Sequence, residues 1–150
     1  MSAIQAFFSN QVLWCAVAAW FTAQALKIPI YRFVEKKWDL GRFFGSGGMP
    51  SSHTAFTVAL AIMTGWLSGF DKPEFAVAVV LAAIVMYDAS GVRHETGVQG
   101  QVLNEIIQKV FVDGQPITDV ELKELVGHTK VEVAGGFFVG ILTALAFICF

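Results

Sequence analysis

The residues able to do chemistry gather first in Gly45-Ser46-Gly47-Gly48-Met49-Pro50-Ser51-Ser52-His53-Thr54, a polar, glycine-rich turn running straight into an apolar segment over residues 55–70. The pattern predicts a loop feeding a helix N-terminus. Pro50 ends any earlier element, Ser51 or Ser52 caps the first N–H groups, and the glycines let the backbone bend close to a guest. Such a helix start favours an anion such as phosphate, because N–H donors and the positive end of the helix dipole converge there. His53, in the first turn, adds an imidazole able to exchange a proton near neutral pH. An ordinary capped loop has the same pattern, so this stretch alone leaves both readings open.

The elements that would hold such a site are apolar. Hydrophobic residues make up 55% of the 150 residues and charged residues 15%, with a mean hydropathy of +0.62, the balance of a membrane protein. A net charge of −2 with no concentrated basic face argues against a nucleic-acid partner. Cys15 and Cys149 lie inside apolar segments and suggest neither a disulfide framework nor a metal site.

The first apolar segment, roughly residues 7–26, is long enough to span a bilayer, with Gln24 as its main polar interruption and Lys27 directly after it. Ala23-Gln24-Ala25 resembles a small-residue cleavage site, but no Lys or Arg precedes the apolar run, which favours a retained helix. Residues 27–42 read as a basic connector carrying Lys27, Arg32, Lys36, Lys37 and Arg42, with Tyr31 and Trp38 as interface aromatics. A second span runs over about residues 51–70, and its Gly65-xxx-Gly69 spacing predicts close approach of another helix. Beyond the tight turn Asp71-Lys72-Pro73-Glu74, a third span covers about residues 75–90, with Gly91 as its C-cap.

Two short helices are expected next. Over residues 98–110, Val98, Val102, Leu103, Ile106, Ile107 and Val110 form one apolar stripe, fit to lie on the membrane surface or against the bundle. The other opens with the capping-box pattern Thr118-Asp119-Val120-Glu121 and closes at Gly127. The last span is residues 131–150, with a second close-packing spacing at Gly136-xxx-Gly140. The expected fold is a single all-α domain over residues 1–150, a polytopic membrane helical bundle of about four spans plus one or two short surface helices.

Nine of the ten Lys and Arg residues fall in residues 27–48 and 91–130, so the positive-inside rule puts both connectors in the cytoplasm and both termini outside. His53, Asp88, Arg93, His94 and His128 then share the cytoplasmic face of what is expected to be the plasma (inner) membrane. His94 with Glu95 is a weak metal hint without further ligands at helpful spacing, so no metal and no cofactor is expected.

Pro50-Ser51-Ser52-His53 resembles the Pro-Ser-Gly-His motif of the type 2 phosphatidic acid phosphatase superfamily, which includes vanadium haloperoxidases and lipid phosphatases. His128-Thr129-Lys130-Val131-Glu132-Val133-Ala134-Gly135 resembles that superfamily's histidine, three-residue gap, aspartate, then Val-x-x-Gly. More closely, Gly47-Gly48-Met49-Pro50-Ser51-Ser52-His53, Tyr87-Asp88-Ala89-Ser90-Gly91-Val92-Arg93 and Val126-Gly127-His128-Thr129, in that order, resemble the small membrane family called divergent PAP2 over nearly the whole chain. The resemblance implies a PAP2-like bundle in which His128 attacks phosphorus to form a phosphohistidine, Glu132 orients it, and His53 protonates the leaving oxygen. It also implies that Gly48, Ser51, Ser52, Arg93 and Lys27 hold the phosphate oxygens, with Asp88 in a supporting place. The chain departs from the superfamily where Ser52 replaces the glycine, Glu132 replaces the aspartate and Leu122 stands at the usual arginine.

Plainer readings stand beside these. Thr129-Lys130-Val131-Glu132 is itself a capping box, so Glu132 either satisfies backbone N–H groups or orients His128. Asp88 either pairs with Arg93 at the membrane surface or belongs to the site. The function expected is metal-independent hydrolysis of a phosphate or diphosphate on a membrane lipid or isoprenoid. The alternative is a non-catalytic protein that binds or moves a phosphorylated lipid through the same anion site. The glycine spacings serve packing within one chain or between two, which leaves a homodimer open.

Overall fold

The computed structural model describes residues 2–43, 47–91, 96–97, 99–100, 102–104 and 128–150. All regular structure among them is helical. Among the described residues the helices with defined bounds are α1 (Ala3–Phe8), α2 (Gln11–Glu35), α3 (Ser52–Ser68), α4 (Pro73–Ser90) and α5 (Lys130–Cys149), with a 3-10 turn at Leu40–Phe43. The second expected surface helix and most of the first, together with Arg93 and His94, lie outside the described residues; residues 96–97, 99–100 and 102–104 are helical.

The first expected span is divided and displaced. Asn10 caps α2 by accepting from Leu13 N at 3.0 Å, which breaks the apolar run after Ser9. At its other end α2 does not stop at Leu26. It continues through Lys27, Pro29 and Arg32 to Glu35, ending where Lys36 adopts a left-handed φ of 56°. The first half of the expected basic connector is therefore helical, and Arg32 stacks over the Trp38 ring at 5.9 Å. One lysine after an apolar run does not end a helix, and Pro29 removes a single ladder bond.

α2, α4 and α5 are long and apolar enough to cross a membrane. The expected second span, α3, has 17 residues, about 25 Å at ~1.5 Å per residue. It is the centre of the bundle: nine of its residues are buried against three each in α4 and α5, and it packs on α2, α4 and α5. The core is built from small side chains, Cys15, Ala19 and Ala23 on α2 facing Ala55, Ala59 and Met63 on α3, closed by Ala144 on α5. Each set recurs every four residues, so one stripe of each helix lets the backbones approach. Outward-facing Val77, Leu81 and Ile84 on α4 and Phe138 and Leu142 on α5 supply a lipid-facing surface.

The two glycine spacings have different uses. Gly136 and Gly140 bring α5 onto α3: a methyl at Gly136 would overlap the Ser51 carbonyl, and one at Gly140 would lie 2.8 Å from the Ala55 oxygen. Gly65 instead makes room for the edge-to-face pair Phe70 and Phe75, whose centroids are 5.1 Å apart, and Gly69 is the α3 C-cap at φ 113°. The space at Gly65 thus receives one ring from the connecting turn and one from the first turn of α4, the next helix.

Candidate functional site

Three chain segments meet at one end of the bundle. The glycine-rich turn enters through Gly48, whose φ of 88° favours glycine, and Met49 and Pro50 then rest on Gly135 of α5. Ser51 N donates to the Glu132 carbonyl at 2.9 Å, which fixes the start of α3 against the first turn of α5. From the other side, His128 N donates to the Ala89 carbonyl at 2.9 Å, fixing the residue before α5 against the end of α4. His128 is thus held by backbone on the α4 side and through its side chain on the α5 side.

That side chain is buried, 3% exposed, and its Nδ1 lies 2.9 Å from Glu132 Oε2. The same oxygen accepts from Thr129 N at 3.2 Å, while Thr129 Oγ1 accepts from Glu132 N at 3.3 Å. The two readings of Glu132 are therefore one arrangement: the capping box fixes the carboxylate, and the fixed carboxylate holds the imidazole. A carboxylate oxygen accepts, so Nδ1 of a neutral His128 carries the proton and Nε2 presents a lone pair. Nε2 is buried with no hydrogen-bond partner among the described residues. A buried, unpartnered ring nitrogen is costly unless something else uses it.

His53 projects from the first turn of α3 with its ring centroid 6.4 Å from that of His128 and the planes inclined by 58°. Lys27 joins from α2: it is 2% exposed, and its ammonium charge is within electrostatic reach of Glu132. A buried lysine needs an anion close by, which fits a place in the site better than the connector expected from sequence. Ser51 and Ser52 are buried at the α3 cap. Ser51 Oγ is engaged within its helix, accepting from Thr54 N at 3.4 Å and from Thr54 Oγ1 at 3.1 Å, so its side chain shapes the turn. Asp88 lies in the last turn of α4, next to the Ala89 carbonyl that anchors His128. Arg93 falls outside the described residues. Among the described residues no group of three His, Cys, Asp or Glu side chains is arranged to hold a metal ion.

One buried polar residue, read from sequence only as an interruption of the first span, has a structural role. Gln24, 4% exposed, donates from Nε2 to the Phe43 carbonyl at 2.6 Å and leaves Oε1 buried with no partner. It ties the 3-10 turn that leads into the glycine-rich loop back onto α2. Its signal was its place three residues before Lys27, on the same helical face.

The order of these segments can be compared with known proteins. The Divergent PAP2 family matches residues 8–143. The chain belongs to that family. It is also 37% identical over 147 residues, 91% of this chain and 93% of the relative, to the uncharacterized membrane protein YuiD of Bacillus subtilis (strain 168). No solved structure matches at a significant level. Membership and the three apolar helices make this a divergent PAP2 membrane protein, and the resemblance expected from three separated motifs holds at family level.

Proposed function

We propose that this divergent PAP2 protein is a phosphatase acting on a membrane lipid or isoprenoid phosphate, with His128 as nucleophile. The observation that carries the reading is the 2.9 Å contact of His128 Nδ1 with Glu132 Oε2, which leaves Nε2 buried and unpartnered on a ring whose centroid lies 6.4 Å from that of His53. In the first step the Nε2 lone pair forms a bond to phosphorus and the bond from phosphorus to the leaving oxygen breaks. His53, protonated, gives its proton to that oxygen. Glu132 stabilises the positive charge that develops on His128. In the second step neutral His53 takes a proton from water as the hydroxyl attacks phosphorus and the P–N bond breaks. The sum is ester plus water giving alcohol plus phosphate. No step requires a metal.

Lys27, the first turn of α3 at Ser52 and His53, and the backbone at Gly48 are assigned to the phosphate oxygens, where negative charge builds during transfer. The distribution of Lys and Arg, read by the positive-inside rule, supports a site on the cytoplasmic side of the membrane. The test is inorganic phosphate release by the purified protein from phosphatidic acid, phosphatidylglycerol phosphate and polyprenyl diphosphate. Release by the wild type that His128→Ala abolishes is the expected result. Release that survives His128→Ala overturns the mechanism, and headgroup binding without release, indifferent to that substitution, favours a protein that binds or moves the lipid.

A further inference from the structure

The hydrolytic reading admits two kinds of leaving group on His53, an apolar alcohol or a second phosphate, and the packing of the bundle distinguishes them. α2 and α4 both lie on α3, yet among the described residues no Cα of one comes within 8 Å of a Cα of the other. The gap is a slot of about 430 Å³, within the range of small-molecule pockets. Its floor is His53, Phe56 and Thr57 of α3, with Val17, Trp20 and Phe21 of α2 on one wall and Val85 of α4 on the other. It is open outward, since Phe21 is 51% exposed and His53 is exposed.

Direction follows from the helices. Lys27 marks the level of the site on α2, and Val17 lies ten residues, about 15 Å, back along that helix toward its N-terminus. Val85 is one helical turn before Ala89, the carbonyl that anchors His128. The slot therefore begins at His53 and runs away from the polar end into the apolar belt. It offers a guest almost nothing polar: Thr57 Oγ1 already donates to the His53 carbonyl at 3.0 Å and to the Thr54 carbonyl at 3.3 Å. His53 contributes to the slot lining, and His128 does not.

We infer that this slot holds a hydrocarbon chain of the leaving alcohol, which makes the substrate a phosphate monoester of a lipid alcohol. The inference rests on the phosphatase reading and narrows it. In phosphoryl transfer the leaving oxygen stands roughly in line with the nucleophile, on the far side of phosphorus. With His128 attacking, the leaving oxygen is beside His53, and what is bonded to it must continue into the slot. A second phosphate there would face Phe56, Trp20 and Val85 with no Lys or Arg among the described lining residues and with the one proton of His53 already committed to the leaving oxygen, whereas a chain buries apolar surface. Protonation by His53 then frees a neutral alcohol whose exit is the open side of the slot, between α2 and α4.

The test is photo-crosslinking of the intact protein in phosphatidylcholine vesicles, using a dodecylphosphonate with a terminal diazirine, a probe that needs no turnover. Label on Val17, Trp20, Phe56 or Val85 that excess dodecylphosphonate removes and methylphosphonate does not is the expected result. Val85→Trp, and independently Val17→Trp, should lower that label about tenfold or more by filling the slot. Label confined to lipid-facing Phe138 or Leu142, or equal competition by methylphosphonate, overturns the slot assignment. Competition by a dodecyl diphosphonate about tenfold better than by dodecylphosphonate overturns the monoester. Phosphate release from dodecyl phosphate is read separately: slot labelling without release leaves the chain site standing and counts against the phosphatase.

Discussion

Glu132 Oε2 stands 2.9 Å from His128 Nδ1, and the pair is fixed before any ligand arrives, because the same oxygen caps Thr129 N at the start of α5. A helix cap and a histidine orienter are one carboxylate. Folding α5 therefore sets the tautomer of the ring beside it, and the buried Nε2 is left as the acceptor the site presents.

Glu132→Gln tests this coupling. The amide oxygen can keep both contacts of Oε2, with His128 Nδ1 and with Thr129 N, but it loses the negative charge that stabilises the imidazolium formed in transfer and strengthens the cap. Phosphate release should fall about 10²–10⁴-fold with KM little changed, accompanied by about 1 kcal/mol of lost stability. Steady-state kinetics and thermal unfolding in the same detergent check it. Unchanged kcat would show that Glu132 serves only as a cap.

His53→Gln should act through the leaving group. Release from an alkyl phosphate, whose alkoxide needs a proton, falls about 10²–10⁴-fold, while release from p-nitrophenyl phosphate, whose leaving oxygen does not, falls much less. Equal losses on both substrates would remove His53 from the general-acid role and leave it a binding residue.

The fold was legible where signals were local. Ser51 and Pro50 before an apolar run predicted the start of α3, Pro73 and Gly91 bracketed α4, and Thr129 with Glu132 predicted the cap of α5. The first span was misread because its boundaries depend on competition. Asn10 captures Leu13 N and splits the run, while Lys27 stays helical because the bundle buries its charge near Glu132. Gly65 and Gly69 show the same limit: a four-residue glycine spacing does not say whether the space receives helix backbone or, as here, two rings, one from the connecting turn and one from the first turn of α4. Gln24 looked like an interruption because its partner, the Phe43 carbonyl, is 19 residues away.

Gly136→Ala should destabilise the bundle by about 1–3 kcal/mol, because the added methyl meets the Ser51 carbonyl, a backbone atom that gives way only if α5 moves off α3. Thermal unfolding measures the loss. Gly65→Ala, which meets only the rings of Phe70 and Phe75, should cost less. The reverse order would contradict the division of labour between the two glycine pairs.

Lys27→Met removes the buried ammonium and keeps the packing of its stem. Vanadate affinity should fall about tenfold to a hundredfold, equivalent to about 1.5–3 kcal/mol for a charge-assisted contact, and Lys27→Arg should restore it only in part because the larger fork does not fit a buried point-charge site. Wild-type affinity in a stably folded Lys27→Met variant would make the lysine a partner of Glu132 alone.

The most direct measurement of the central claim is a vanadate titration of the purified protein, wild type beside His128→Ala, with thermal unfolding confirming that both are folded. Vanadate takes the five-coordinate geometry of phosphoryl transfer. Saturable binding by the wild type that His128→Ala abolishes is predicted, with the Nε2 lone pair as the proposed apical ligand. Binding that survives His128→Ala, or no binding by a folded wild type, would contradict the assignment of His128 as the nucleophile.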